Sequence, residues 1–175
     1  MSTTALLIID MQIAITNGAW RIEAVLDAIN DLQRRARAAG SPVIFLQHSH
    51  VHYPPMMRGA QTWAIDPRLA PRADDPVIEK TASDGFWETP LQTVLDKLGV
   101  RRLVVTGAQT EFCVDATCRA ALSRGFDVTL AADAHTTGDA VTPAETTIRH
   151  HNYALANLAH PRISIVVTPS AEIGF

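Results

Sequence analysis

Three residues in this 175-residue chain carry chemistry that a fold could combine: the carboxylate of Asp10, the ammonium of Lys80 and the thiol of Cys113. A carboxylate beside a thiol can accept its proton, and a cation at close range favours the charged forms of both. Each also has an ordinary reading. Asp is common in turns that leave strands, a lysine is usually solvated, and a cysteine packs well as a small apolar side chain. Their positions argue for more. Asp10 directly follows the apolar run Ala5–Ile9, Lys80 follows Val77–Glu79, and Cys113 lies in the turn after Leu103–Val105. Ligands of open parallel sheets bind outside the carboxyl ends of the strands, so chain direction alone puts an acid, a cation and a thiol at one edge. Cys113 also sits where a helix is expected to begin, and free backbone N–H groups there stabilise a thiolate. Cys118 has no such position and reads as core.

The elements that must carry these residues alternate between strand and helix. Ala5–Ile9 is continuous and apolar, as in a strand buried on both faces. Ile22, Val25, Leu26, Ile29, Leu32 and Ala36 recur at helical spacing and Gly40 follows, which predicts a helix of roughly 17 residues. Further strands are expected at Val43–Gln47, Val77–Glu79, Leu103–Val105, Asp127–Ala132 and Ile163–Val167. Thr89 with Pro90 opens a helix through Leu98 that Gly99 closes, and another runs from about Cys113 to Arg124 with Gly125 as its stop. Thr142, Pro143 and Glu145 read as a capping box for a helix ending near Ala159. Ser49–Pro76 breaks the alternation, with five of the ten prolines and little periodicity. Long loops of that kind are usually functional, so it is read as a lid or pocket wall. Helices between strands imply parallel pairing with right-handed crossovers. The predicted fold is a single α/β domain over 1–175: a three-layer α/β/α sandwich around a mainly parallel, Rossmann-like sheet of about six strands.

Composition narrows the partners. Fifteen Lys and Arg against eighteen Asp and Glu leave a formal net charge of −3, with no basic stretch that would track a phosphate backbone, so nucleic acid is not expected. Arg34, Arg35 and Arg37 fall in a helical pattern and read as a solvated face. With 47% hydrophobic and 19% charged residues, the chain can build its own core. Ala5–Ile9 is too short to span a bilayer and has no basic stretch before it, so no membrane partner or export address is expected. Cys113 and Cys118, five apart in one predicted helix, make a poor disulfide and show no metal-type spacing. A reduced, cytoplasmic setting is the expectation.

Leu6–Gln12 (LLIIDMQ), Val77–Lys80 (VIEK) and Val105–Val114 (VTGAQTEFCV) together resemble the isochorismatase-like cysteine hydrolases, in that family's order and spacing. The resemblance runs from the first strand through Asp133, and Gly-x-x-Thr-x-x-Cys-Val is its most specific part. It implies a catalytic triad of Asp10, Lys80 and Cys113 and a non-proline cis peptide between Ala108 and Gln109, where an oxyanion hole would form. In that scheme Lys80 holds the thiol ionised, Asp10 moves the proton, and Cys113 attacks a carbonyl to give a thioester. The implied activity is cleavage of a C–N bond in a small amide, carbamoyl or ureido compound, without a cofactor, by a homodimer or homotetramer. Streptothricin-type lactam hydrolysis needs the same nucleophile. Isochorismatase-type vinyl-ether hydrolysis is disfavoured, because that branch commonly has glycine where Cys113 stands.

Candidate substrate-binding residues are Gln12, His48, Trp63, Phe86 and Phe112. Trp63 falls in the proline-rich excursion, Phe112 precedes the thiol, and core packing is the competing role for the aromatics. Gln12 could orient a substrate or Asp10, or be structural. His48, His50 and His52 alternate and could suggest a metal. Nicotinamidases of the superfamily carry Asp-x-His there, whereas this chain reads His48-Ser49-His50, so no metal is expected. His151 shares an apolar face with Ile148, Leu155 and Leu158 and reads as a hydrogen-bonded core histidine. A redox-sensing module built on Cys113 is a reading from a different class. A flavodoxin-like nucleotide site is a weaker one, since no glycine-rich phosphate loop follows the first strand.

Overall fold

The structure is a computed structural model, and it describes residues 3–175. Six strands, β1 Thr4–Ile9, β2 Val43–His48, β3 Val77–Lys80, β4 Arg102–Ala108, β5 Asp127–Thr136 and β6 Ile165–Thr168, form one all-parallel sheet in the order β3-β2-β1-β4-β5-β6. Helices α1 Ile13–Thr16, α2 Ile22–Ala38, α3 Leu91–Lys97, α4 Asp115–Ser123 and α5 Ala144–Ala156 connect or cover them. The unbroken apolar run of β1 is explained by what lies on each side. Ala5, Leu7 and Ile9 join a core with Leu91 and Leu95 of α3, Cys118 and Ala121 of α4 and Leu155 of α5. Leu6 and Ile8 join a second core with Val25, Leu26, Ile29 and Leu32 of α2. Each such side chain contributes about 2 kcal/mol by leaving water, so both faces must be apolar and no alternation survives.

The strand order switches direction between β1 and β4, running outward to β2 and β3 on one side and to β5 and β6 on the other, and the C-terminal ends of β1 and β4 form the crevice where such folds bind ligands. Close approach of the two ends depends on Gly107. Its φ is +118°, and a Cβ there would lie 2.1 Å from the Ile9 carbonyl oxygen. The register between β4 and β5 shifts between Val105 and Gly107, after which Gly107 and Ala108 pair with His135 and Thr136. This irregularity carries β5 past Ala132, where the sequence pattern predicts its end, through the polar stretch Asp133–Thr136.

Other departures are local. Cys113 is not in the predicted α-helix but in a π-helical turn, Thr110–Val114, that precedes α4. The capping box does not form: Thr142 Oγ1 bonds Thr147 Oγ1, and the Asp139 carboxylate accepts from the Ala144 N–H at the start of α5. α5 stops at Ala156 rather than near Ala159, and β6 begins at Ile165 rather than Ile163. The proline-rich excursion folds into three short 3₁₀ turns, at Pro54–Met56, Gln61–Trp63 and Pro67–Leu69.

Candidate active site

Asp10 directly follows β1 with φ at +50°, in the left-handed region that non-glycine residues rarely adopt. Its N–H donates to Leu46 O and its carbonyl accepts from Gln12 N–H, so the turn is fixed from both sides. One carboxylate oxygen, Oδ2, lies 2.7 Å from Lys80 Nζ, and neither side chain has any exposed surface. The other, Oδ1, has no hydrogen-bond partner among the described residues. Two unit charges 2.7 Å apart attract by about 6 kcal/mol at an effective dielectric near 20, while taking each out of water costs several kcal/mol. The pair therefore adds little net stability. What it provides is a carboxylate held in place with one oxygen still available.

Lys80 is the last residue of β3, paired in register with His48 at the end of β2. Its ammonium has three N–H groups, and three acceptors surround it: Asp10 Oδ2 at 2.7 Å, Ala82 O at 3.0 Å and His48 Nδ1 at 3.2 Å. An ammonium cannot accept, so His48 Nδ1 must be the acceptor and the imidazole proton sits on Nε2. Burial, followed by the Lys80 charge, lowers the His48 pKa and keeps the ring neutral.

Cys113 reaches the same place from the turn after β4. Asp10, His48 and Cys113 present oxygen, nitrogen and sulfur atoms within 4.8 Å of one another. Among the described residues this is the one such group of potential metal ligands, but the Lys80 ammonium lies against two of its members and opposes a divalent cation. Burial pushes the Cys113 thiol up to about 12; the Asp10 carboxylate adds to the rise and Lys80 opposes it. The resting group is a neutral thiol, in contrast to the ionised sulfur expected from Lys80 and a helix onset. The peptide between Ala108 and Gln109 is cis, and Gln109 stands beside Cys113 in the wall of a cavity of about 470 Å³. Asp10, His48, Ser83, Gln109 and Gly138 bring the ends of five successive strands to that cavity.

The family model for the isochorismatase domain matches residues 4–169. The chain belongs to the isochorismatase family. A streptothricin hydrolase of Streptomyces noursei is 40% identical over 141 residues, covering 77% of this chain and 55% of that protein. The ureidoacrylate amidohydrolase RutB of Methylorubrum extorquens is 36% identical over 84 residues, covering 47% of this chain and 34% of that one. The crystal structure of an isochorismatase from Pseudomonas putida KT2440 superposes with a TM-score of 0.85 at 26% identity, covering 98% of this chain and 90% of that one. The chain spans about half the length of the streptothricin hydrolases it matches.

Within this isochorismatase-family fold the expected site residues divide. Asp10, His48, Gln109, Phe112 and Cys113 line the cavity, and Lys80 lies behind Asp10 and His48. Gln12 is fully buried and ties the wall together instead: its Nε2 donates to His48 O and Trp63 O, and its Oε1 accepts from His48 N. Trp63 does not line the cavity; its indole N–H donates to His48 O and Ser49 Oγ, bracing the excursion against β2. Phe86 is in the core, stacked on Phe126 with ring centroids 6.0 Å apart. His151 is half-buried and pairs with Asp115 of α4 at 3.1 Å. The excursion supplies His50, Tyr53 and Met56 to the cavity wall. Sequence reasoning missed Asn17 and Gly18, whose Asn-Gly dipeptide was the available turn signal, and also His135. Buried His135 holds the turn that carries Cys113, bonding Thr110 Oγ1 at 2.9 Å and Asn152 Oδ1 at 2.8 Å.

Proposed function

We propose that this chain is a cysteine hydrolase that cleaves a C–N bond of a small amide or carbamoyl compound through a thioester on Cys113. The observation that carries this reading is the solvent-free Asp10–Lys80 pair, 2.7 Å apart, beside a buried thiol in an open cavity. The thiol proton passes to the free Oδ1 of Asp10 as Sγ bonds to the substrate carbonyl carbon, because no standing thiolate exists to attack earlier. Negative charge collects on the carbonyl oxygen, which the N–H groups of Gln109 and Cys113 receive; one such donor is worth about 3 kcal/mol. As the tetrahedral adduct collapses, protonated Asp10 returns its proton to the departing nitrogen, and the C–N bond breaks. Water then attacks the thioester with Asp10 again as base, and the thiol is restored. Lys80 keeps Asp10 oriented and balances the charge that moves across it.

The names of the streptothricin hydrolase and the ureidoacrylate amidohydrolase support hydrolysis of this kind. A thiol-based redox sensor is less well supported, because sensor thiols are ionised and exposed, while Cys113 is buried and raised toward 12. Isochorismatase-type vinyl-ether cleavage would leave the thiol without a role. The test is ammonia release from a panel of simple amides, nicotinamide, biuret and ureido acids, with and without chelator. Release by the wild type that survives chelation is the expected outcome; loss on chelation contradicts the metal-free scheme, and no release from any compound contradicts amide hydrolysis.

A further inference from the structure

The cavity also constrains the charge of what enters it. Its wall holds the Asp10 carboxylate and the neutral polar groups of Asn17, His48, Tyr53 and Ser83, and among the described lining residues there is no arginine or lysine. Lys80 is the one cation against the site, and it is already engaged: it is ion-paired with Asp10 at 2.7 Å, donates to Ala82 O and meets His48 Nδ1. A carboxylate brought in from water would therefore lose its hydration and find no free cation to pair with, a costly exchange. A cation or neutral amide meets no such penalty, and the aromatic faces of Tyr53 and Phe112 are available to it.

Phe112 is also the wall between this cavity and a mainly apolar hollow of about 430 Å³ lined by Val141, Thr146 and His150 among others. The charged residue of that hollow is again an acid, Glu111. One of its carboxylate oxygens accepts from Thr137 Oγ1 at 2.9 Å, and the other is buried with no hydrogen-bond partner among the described residues. Of the two carboxylates along the path from Cys113 past Phe112, Asp10 is balanced by Lys80, while Glu111 has no arginine or lysine among the described residues lining its hollow, so the unbalanced charge there is negative. We infer that the site selects amides that are neutral or positively charged on the portion flanking the scissile bond and rejects those bearing a carboxylate there. This rests on the reading of the cavity as an amide-hydrolase site and narrows its substrate class.

Two measurements separate the charge rule from that reading. In the first, Cys113 of the whole protein is labelled with methanethiosulfonates carrying an ethylammonium, a methyl or an ethylsulfonate group. Peptide mass mapping locates the label, and rates are taken relative to a free thiol. The ethylammonium reagent should react at least tenfold faster than the sulfonate, and Glu111→Gln should shrink that ratio; equal rates, or faster sulfonate labelling, overturn the inference. In the second, ammonia release is compared for hexanamide, 6-aminohexanamide and the monoamide of adipic acid, which differ in terminal charge. Preference for the first two supports the charge rule, and preference for the acid overturns it while leaving amide hydrolysis intact. A strong cation preference in labelling with no ammonia from any amide keeps the charge rule and removes the hydrolase reading.

Discussion

If burial and the Asp10 charge set the state of Cys113, then changing each charged neighbour should move the thiol in opposite directions. The thiol stands at about 12 against an ordinary 9.0, raised first by burial and next by the carboxylate, and lowered by Lys80. Three units correspond to about 4 kcal/mol between the protonation states, and to a thiolate population at neutral pH about a thousandfold smaller than that of an ordinary thiol. Thiolate absorbance near 240 nm, taken as the difference between the wild type and Cys113→Ser to cancel tyrosine, follows this directly. Between pH 5 and 10 the difference spectrum should show no completed step. Asp10→Asn removes a negative neighbour and should bring the midpoint down, whereas Lys80→Met removes the opposing cation and should push it further up. A wild-type midpoint at or below pH 8 would refute the reasoning, because the sulfur would then be ionised at rest and would need no base.

Gly107→Ala should destabilise the fold by about 3 kcal/mol or more in urea titration, since its Cβ would meet the Ile9 carbonyl oxygen at 2.1 Å; a change below 1 kcal/mol (~) would mean that the β1 and β4 ends can part freely. Gln12→Ala leaves the His48 N–H without its acceptor and removes one of two donors from each of His48 O and Trp63 O, and should cost about 1 to 3 kcal/mol, with faster proteolysis of the 49–76 excursion as the local readout. Burial holds His135 neutral, at about 4 against 6.5, so between those values the unfolded chain takes up a proton that the folded chain refuses. Its contribution is full above about pH 6.5 and is lost as pH falls toward 4, by up to about 3 kcal/mol. Unfolding free energies at pH 4.5 and 7.5 should therefore converge in His135→Gln, and an unchanged pH slope in that variant would assign the effect elsewhere.

The layers of the fold were legible because burial on both faces of β1 and on one face of α2 writes itself into apolar runs and helical spacing. So was the meeting of Asp10, Lys80 and Cys113, because parallel strands deliver their ends to one edge. What escaped depends on contacts between distant segments. The extension of β5 follows from a register shift against β4 that no local pattern in Asp133–Thr136 records. Phe86 and Trp63 have the composition of pocket residues, yet Phe126 claims one and the His48 carbonyl and Ser49 hydroxyl the other. The protonated state of Cys113 escaped for a related reason: the sequence shows its charged neighbours, but only packing shows how little water reaches them.

The covalent route is tested most directly by intact-mass analysis of the protein quenched in acid during turnover of an amide that releases ammonia. A mass increase equal to the acyl group, present in the wild type, mapped to Cys113 and absent from Cys113→Ala, is the expected result. Steady turnover with no adduct in the wild type, together with undiminished ammonia release by Cys113→Ala, would contradict it.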